Sequence, residues 1–173
     1  MATTNQTFPF PHPTLTRIQG EPDADSVEQL KSEVYANVQC VSSPFGGGNH
    51  GHLGAVTDAI TYEQLTGQNV PYDAPIQPAI PVGHAHLTQP QLIERNRIYQ
   101  HNLSLWQTYT NLMSAIKSQI LAAVDHVYFA PLRERLLGFT NVAPIDFLDY
   151  LDEQYGTRTG TDLEANQASI SQP

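Results

Sequence analysis

The sequence predicts an all-α protein: a small helical bundle with an extended, Pro-rich N-terminal arm and a long Pro/Gly-rich internal loop. Apolar residues recur at helical spacing in several stretches, whereas no stretch reads clearly as a β-strand. The 13 prolines and 11 glycines are concentrated outside those stretches. Hydrophobic residues make up 40% of the 173 residues, which is enough apolar material for one modest core.

The N-terminal segment, residues 1–24, is rich in proline and threonine and is interpreted as an extended or polyproline-like arm. Two interpretations stay open: a disordered tail, or an arm that docks on its own core or on a neighbouring subunit. The apolar residues spaced along it keep the docking interpretation open, and they are the expected packing residues of an assembly: Phe8, Phe10, Leu15 and Ile18.

Residues 25–41 are predicted to form the first helix. Its apolar positions share one face because they recur at intervals of three and four: Val27, Leu30, Val34, Val38 and Val41. Ser26 and Gln29 have the spacing of a capping box. Cys40 lies on the apolar side and is interpreted as a small core residue rather than a nucleophile.

Glycine and proline break up the next part of the chain. Residues 42–51 are predicted to form a loop, and residues 53–66 a short helix that Gly67 ends. Residues 67–87 are Pro-rich and are interpreted as a long connection, which is uncommon inside a compact domain.

The strongest helical pattern begins at Thr88, which fits a capping box together with Gln91. No proline or glycine interrupts residues 91–130, so the pattern predicts either one long helix or two helices with a break near residues 108–112. Trp106 falls on the apolar stripe of this region and is predicted to be buried in the helical core.

Shorter helices are predicted in the last part of the sequence. Residues 131–137 form one that Gly138 ends, residues 144–155 form one that begins at Pro144, and residues 162–170 form the last. The helix at 144–155 carries further expected packing residues on its apolar face: Leu148, Leu151 and Tyr155. The chain is therefore expected to comprise an arm (1–24), a helix with Gly/Pro-rich loops (25–87) and a helical core (88–173).

The charge balance and the single cysteine exclude several classes of function. Seventeen acidic residues against eight basic ones give a net charge of −9, and no cluster of Lys and Arg is present to neutralise phosphates. The sequence thus disfavours nucleic-acid binding and anionic membranes. One cysteine excludes an intramolecular disulfide and a Cys-based zinc site, and it suits a reducing compartment. We expect a cytoplasmic protein, because the N-terminus lacks the pattern of a signal peptide.

Two His-x-His pairs are weak candidates for a metal site: His50, His52, His84 and His86. Imidazole nitrogens bind zinc, copper and iron, but the spacing of the pairs matches no known hydrolytic motif. The favoured interpretation is that these are loop histidines. We therefore expect no catalytic residue, metal or cofactor, and the protein is predicted not to be an enzyme. An enzyme that uses the histidine pairs is a remote alternative.

Three stretches, taken in order, carry a resemblance to a known family. The first covers residues 9–22 (PFPHPTLTRIQGEP) and 30–41. The second covers residues 46–67 (GGGNHGHLGAVTDAITYEQLTG) and the Pro-rich stretch after it, and the third spans residues 105–166. The third is the most specific, and its matching positions are Ile116–Val127, Leu132–Gly138, Asn141–Ala143, Phe147–Gly156 and Thr161–Leu163. Together they resemble the N-terminal half of Gag-like polyproteins of Copia-type LTR retrotransposons.

The resemblance implies a structural role, with the helical segment 88–173 as a capsid-like core. Gag subunits assemble into a virus-like particle shell that encloses the RNA and enzymes of the retrotransposon. The implied partner is the protein itself, in a homo-oligomer. RNA would be enclosed but not bound by this segment, because one cysteine cannot form the Cys-Cys-His-Cys zinc knuckle common in such proteins. The alternative is a domesticated Gag-derived binding or scaffold protein.

Overall fold

The computed structural model describes residues 7–43 and 48–156, and these form an all-α protein, as predicted. The α-helices are α1 (Ala24–Gln39), α2 (Ala59–Thr66), α3 (Gln89–Ala123) and α4 (Pro144–Tyr155). Short 3₁₀ segments occur at Gly48–His50, Leu53–Ala55 and His126–Leu132. Although α3 is long, no helix in the described residues combines the length and apolarity needed to cross a bilayer. The predicted helix at 162–170 lies outside the described residues.

The chain divides into two compact units. The α2 unit comprises residues 1–9 and 39–115, and the α4 unit comprises residues 10–38 and 116–173. Helix α3 contributes to both units, and its last turns, from Ile116 onward, belong to the α4 unit. The predicted division of the chain into three successive segments stays a prediction.

The α4 unit has an apolar core. It buries one face of α1 and the last turns of α3, together with side chains of α4: Val27, Leu30, Val34, Val38, Ile116, Ile120, Phe147, Leu148 and Leu151. Three phenylalanine rings contact one another here, with centroids 4.7 Å apart for Phe129 and Phe147 and 5.5 Å apart for Phe139 and Phe147. Close aromatic pairs of this kind add to the stability that burial supplies.

The start of α1 differs from the predicted capping box between Ser26 and Gln29. Asp23 is the capping residue: its Oδ1 accepts the N–H of Ser26 at 2.7 Å, and the Ser26 hydroxyl accepts the N–H of Asp23 at 2.9 Å. Gln29 instead donates to the Thr16 hydroxyl. The reciprocal pair therefore lies three residues earlier than predicted, because Asp is as good a capping residue as Ser.

Helix α3 begins as predicted and continues without a break. The Thr88 N–H donates to the Gln91 side chain at 2.9 Å, and the Gln91 N–H donates back to the Thr88 hydroxyl at 3.4 Å. The helix is 35 residues long and spans residues 108–112, where a break was one of the two predicted possibilities. At about 1.5 Å per residue it is roughly 50 Å long.

The predicted helix at 131–137 is wrong. The 3₁₀ segment His126–Leu132 ends there, and residues 133–138 form a tight turn in which Glu134 and Gly138 exchange two backbone hydrogen bonds of 2.8 and 3.0 Å. Asp125 starts the 3₁₀ segment by accepting the Val127 N–H. Gly138 has a left-handed backbone (φ 60°), which a residue with a side chain rarely adopts, so its glycine closes a turn rather than ending a helix.

Helix α4 has the predicted bounds. Pro144 occupies its first position, and Asp146 accepts the N–H of Ala143 at 2.9 Å. At the other end the Gly156 N–H donates to the Asp152 carbonyl. Proline suits the first turn because its missing N–H would have no partner there.

The α2 unit contains a short helix and a long non-helical connection. The predicted helix at 53–66 is divided into a 3₁₀ turn and α2, because Asp58 caps a new helix start by accepting the Thr61 N–H at 2.7 Å. Gly67 ends α2 with a left-handed backbone, as predicted. Residues 67–88 carry no helix or strand.

Candidate functional site

From here on, the N-terminal segment means residues 10–19, which belong to the α4 unit. Three polar side chains and one backbone carbonyl hold the backbone of this segment. We call these groups the clamp: the side chains of Glu33 and Asn37 on α1, the side chain of Gln119 on α3 and the carbonyl of Ala123. Of the packing residues expected in this region, Leu15 and Ile18 are buried, with 4% and 8% of their surface exposed, whereas Phe8 and Phe10 are half-buried.

Asn37 is the centre of the clamp and is fully buried. Its Oδ1 accepts the N–H of His12 at 2.9 Å, and its Nδ2 donates to the His12 carbonyl at 2.8 Å and to Gln119 Oε1 at 3.0 Å. Gln119 in turn donates to the carbonyls of His12 and Pro13. The carboxamides of Asn37 and Gln119 therefore supply hydrogen-bond partners to backbone N–H and C=O groups of the segment, which has no secondary structure of its own here.

Glu33 and Ala123 hold the following residues of the segment. The Glu33 carboxylate accepts the N–H of Thr16 at 2.9 Å and its hydroxyl at 2.6 Å, and the Ala123 carbonyl accepts the Ile18 N–H at 2.8 Å. Burial raises the pKa of Glu33, but the hydrogen bonds from Thr16 and the positive charge of His12 outweigh it, so the net pKa is lowered. Glu33 thus stays ionised while 6% exposed.

Helix α4 supplies the remaining expected packing residues of the α4 unit. Leu148 and Leu151 are buried in its core and are therefore not available to another molecule. Tyr155 is half-buried, and its ring meets that of Tyr128 edge-on with centroids 6.1 Å apart. The side chains on the opposite face of α4 are acidic, and Asp152 forms a salt bridge of 3.4 Å with Lys31.

In the α2 unit the four candidate metal ligands are not brought together. His52 is buried, His50 is half-buried, and His84 and His86 are exposed. His84 Nδ1 lies 2.7 Å from the Arg95 guanidinium, a cationic neighbour that disfavours metal binding. Among the described residues, no three His, Cys, Asp or Glu side chains are grouped so that they could hold a metal ion.

His52 instead belongs to an aromatic cluster. Its Nδ1 lies 2.7 Å from the Tyr72 hydroxyl, and its ring lies 5.9 Å from that of Tyr72 and 5.7 Å from that of Tyr109. Burial lowers the pKa of His52, and a hydrogen bond with the backbone of Ser42 opposes the shift only in part. Burial likewise raises the pKa of Tyr72 and of Tyr109. The lowered pKa favours the neutral form of His52, and the tautomer protonated on Nε2 accepts the Tyr72 O–H at Nδ1.

A cleft of about 200 Å³ lies beside this cluster. Tyr62 and Tyr72 line it together with Glu63, Gln68 and the backbone at Gly54. Tyr72 packs directly on Gly54, since a Cβ atom at that position would overlap the Tyr72 side chain. The cleft thus depends on a glycine in the 3₁₀ turn Leu53–Ala55.

The α2 unit exposes more large apolar residues than it buries. Among the described residues, its buried apolar side chains are Leu53, Val56, Tyr62 and Leu112. Its exposed ones are Ile60, Leu65, Val70, Ile76, Ile80, Val82, Ile93 and Ile98. Ile76 and Val82 are each 82% exposed. Trp106, predicted to be buried, is only half-buried in this unit.

Sequence reasoning missed the polar half of the clamp and the exposed apolar residues of the connection. The apolar residues of α1 explain its helical spacing by themselves, so Asn37 and Glu33 are interpreted from the sequence as ordinary polar residues of that helix. Ile76, Ile80 and Val82 are separated by Pro, Ala and Gln, and they fit no periodic pattern. The one local signal is the spacing of Asn37, which follows Leu30 by seven residues and Val34 by three and therefore falls on the apolar face of α1.

No protein-family model matches the chain, and no curated protein or solved structure matches it. The resemblance to Gag-like proteins therefore rests on the sequence motifs themselves.

Proposed function

We propose that the protein is a capsid-like structural subunit that assembles with copies of itself into the particle shell of a retrotransposon. The observation that carries the proposal is that the α2 unit exposes more large aliphatic side chains than it buries, and we refer to its eight exposed ones together as the apolar surface. Single exposed aliphatic residues are normal, but many in one small unit are typical of an interaction site.

The distribution of charge favours a second copy of the chain as the partner of this surface. Among the described residues, the α2 unit contains four acidic and two basic residues, a net charge of −2, whereas the α4 unit contains eleven acidic and five basic residues, a net charge of −6. Identical subunits that meet through the α2 unit therefore avoid most of the repulsion between like charges. Contacts between two α4 units would incur that repulsion.

The non-helical parts of the chain fit the same role. A shell needs repeated contacts and segments that reach a neighbour. Residues 67–88 present Ile76, Ile80 and Val82 to solvent, and Arg95 holds the end of this connection by donating to the carbonyls of Val82 and Gly83 at 3.2 Å. In the proposal, this Pro-rich connection is an assembly loop and the N-terminal segment is a capsid arm.

The test is the mass and shape of the purified full chain, measured by light scattering and negative-stain electron microscopy. We expect particles of many subunits, and a species of 19 kDa at every concentration would contradict the proposal. The variant Ile76→Glu/Ile80→Glu should abolish assembly while its circular dichroism and melting temperature stay near the wild-type values. The matched control is Leu136→Glu, a side chain that is 90% exposed in the α4 unit, and it should assemble normally.

The cleft beside Tyr62 and Tyr72 favours a second candidate, a Gag-derived binding or scaffold protein. Aromatic side chains with neighbouring amides and a carboxylate are typical of a recognition site. This candidate predicts a monomer or dimer in the same measurement, with the apolar surface used for another protein.

A further inference from the structure

We propose that the N-terminal segment is exchanged between copies, so that residues 10–19 of one chain occupy the clamp of the next. The inference rests on the proposed function, because assembly supplies the second copy at a high local concentration. It names the contact that links neighbouring subunits: the clamp on one side and an identical segment on the other.

The contacts of the clamp do not depend on which chain supplies the segment. Asn37, Gln119 and the Ala123 carbonyl bind backbone N–H and C=O groups of the segment, and Glu33 binds the backbone and hydroxyl of Thr16. Hydrogen bonds of this kind are the ones by which a protein binds a short peptide ligand. A segment from a second copy makes every one of them, since its sequence is the same.

The segment also carries its own apolar anchors. Leu15 and Ile18 are the buried side chains of the segment, and they lie three residues apart, on either side of the hydrogen bonds from Thr16 to Glu33. Anchors and polar contacts thus fall within one run of seven residues, His12–Ile18, that can leave and dock as a unit. The free energy of docking is the same within a chain and between chains, apart from the connection and the association itself.

The stretches on either side of the segment are the parts that differ between the two arrangements: residues 7–9 belong to the α2 unit, and residues 20–23 lead to α1. The second stretch is the hinge of the proposal. Only a few residues join the segment to α1, and Gly20 has a left-handed backbone with φ 71°. A short connection that is held in one conformation favours exchange. When its backbone straightens, the segment reaches the clamp of a neighbouring chain and makes there the same contacts that it made in its own chain. Pro22, which is buried, fixes the backbone just before the Asp23 cap.

The experiment uses two full-length chains, each with Cys40→Ala to remove the single cysteine. One chain carries Arg17→Cys and the other carries Gln29→Cys, because both residues are exposed and line the same groove of the α4 unit, and neither belongs to the clamp. The chains are mixed, assembled and treated with a short bismaleimide, which links two thiols across a gap too wide for a disulfide, and covalent heterodimers are counted by mass spectrometry. A chain with both cysteines shows that the pair can be cross-linked, and Leu136→Cys replaces Gln29→Cys as the control for random collisions.

Exchange predicts a heterodimer joined between positions 17 and 29, well above the Leu136→Cys control. If the double-cysteine chain closes within itself and the mixture gives no more heterodimer than the control, exchange is overturned. Light scattering on the same samples separates the two proposals. Particles without the heterodimer overturn exchange alone, whereas monomers without it contradict the proposed function as well.

A glycine substitution tests the role of the connection. A Cβ at Gly20 would meet no atom within 4 Å, so Gly20→Ala acts only through its backbone preference. Alanine disfavours the left-handed conformation, which should raise the ratio of exchanged to unexchanged chains about fivefold. Gly138→Ala is the matched control, because Gly138 has φ 60°, also meets no atom, and lies outside the connection. An unchanged ratio in Gly20→Ala would contradict the proposed hinge.

Discussion

The carboxamide of Asn37 binds both backbone polar groups of His12, accepting its N–H at 2.9 Å and donating to its carbonyl at 2.8 Å. Asn37 lies on α1 and is fully buried, 25 residues along the chain from His12. A buried amide that makes a third hydrogen bond, to Gln119, is satisfied only while the N-terminal segment is docked. These hydrogen bonds of Asn37 therefore make the stability of the α4 core depend on whether the N-terminal segment is docked.

We predict that Asn37→Ala lowers the free energy of unfolding by roughly 2–4 kcal/mol, because it leaves the His12 N–H and Gln119 Oε1 without the partner that Asn37 supplies and removes one of the two donors to the His12 carbonyl. Urea denaturation followed by circular dichroism measures the change. Glu28→Ala is the control, since Glu28 is an exposed side chain of the same helix. Equal midpoints for the two variants would show that water replaces the Asn37 contacts at no cost.

The close contact between Gly54 and Tyr72 gives a second prediction. Gly54→Ala should destabilise the α2 unit by about 1–3 kcal/mol, because the new methyl group overlaps the Tyr72 side chain. Tyr72→Ala removes the obstacle, so Gly54→Ala should cost much less in that background. Thermal denaturation of the wild type, the two single variants and the double variant gives the coupling energy. If the losses in stability of the two single variants simply add in the double variant, the cost of Gly54→Ala comes from its backbone and not from the contact with Tyr72.

Local patterns predicted the helices but not the contacts that hold the segments between them. The bounds of α1, the start of α3 and both ends of α4 follow from apolar periodicity and from caps within a few residues. The failure at 131–137 has a local cause as well, since Gly138 was interpreted as a helix end although it closes a turn with Glu134. The pairs of the clamp are separated by 17 to 107 residues, so no local pattern contains them.

The half-buried state of Trp106 leads to a third prediction. For a buried tryptophan, truncation to alanine costs about 3–5 kcal/mol, whereas a side chain that keeps contact with water loses less. We therefore expect Trp106→Ala to cost less than Leu112→Ala, although the tryptophan is larger, because Leu112 on the same helix has no exposed surface. Urea denaturation of both variants decides the order. A larger loss for Trp106→Ala would mean that the indole carries more of the packing than its exposure indicates.

The contact between buried His52 and half-buried Tyr72 predicts how stability changes with pH. The pKa of His52 is lowered below its usual 6.5 by burial, so the folded protein binds fewer protons than the unfolded chain in mildly acidic solution. Stability contributed by neutral His52 is therefore present above about pH 6.5 and is lost as the pH falls below that value.

We expect the free energy of unfolding to fall between pH 7.5 and pH 5.5, and the fall to be smaller in His52→Gln. Glutamine keeps a hydrogen-bonding group near the Tyr72 hydroxyl but does not titrate. His101→Gln is the matched control, because His101 is exposed on α3 in the same unit, and it should retain the wild-type slope. The same slope in His52→Gln as in the wild type would mean that protonated His52 is tolerated, for example by rotation of Tyr72 away from Nδ1.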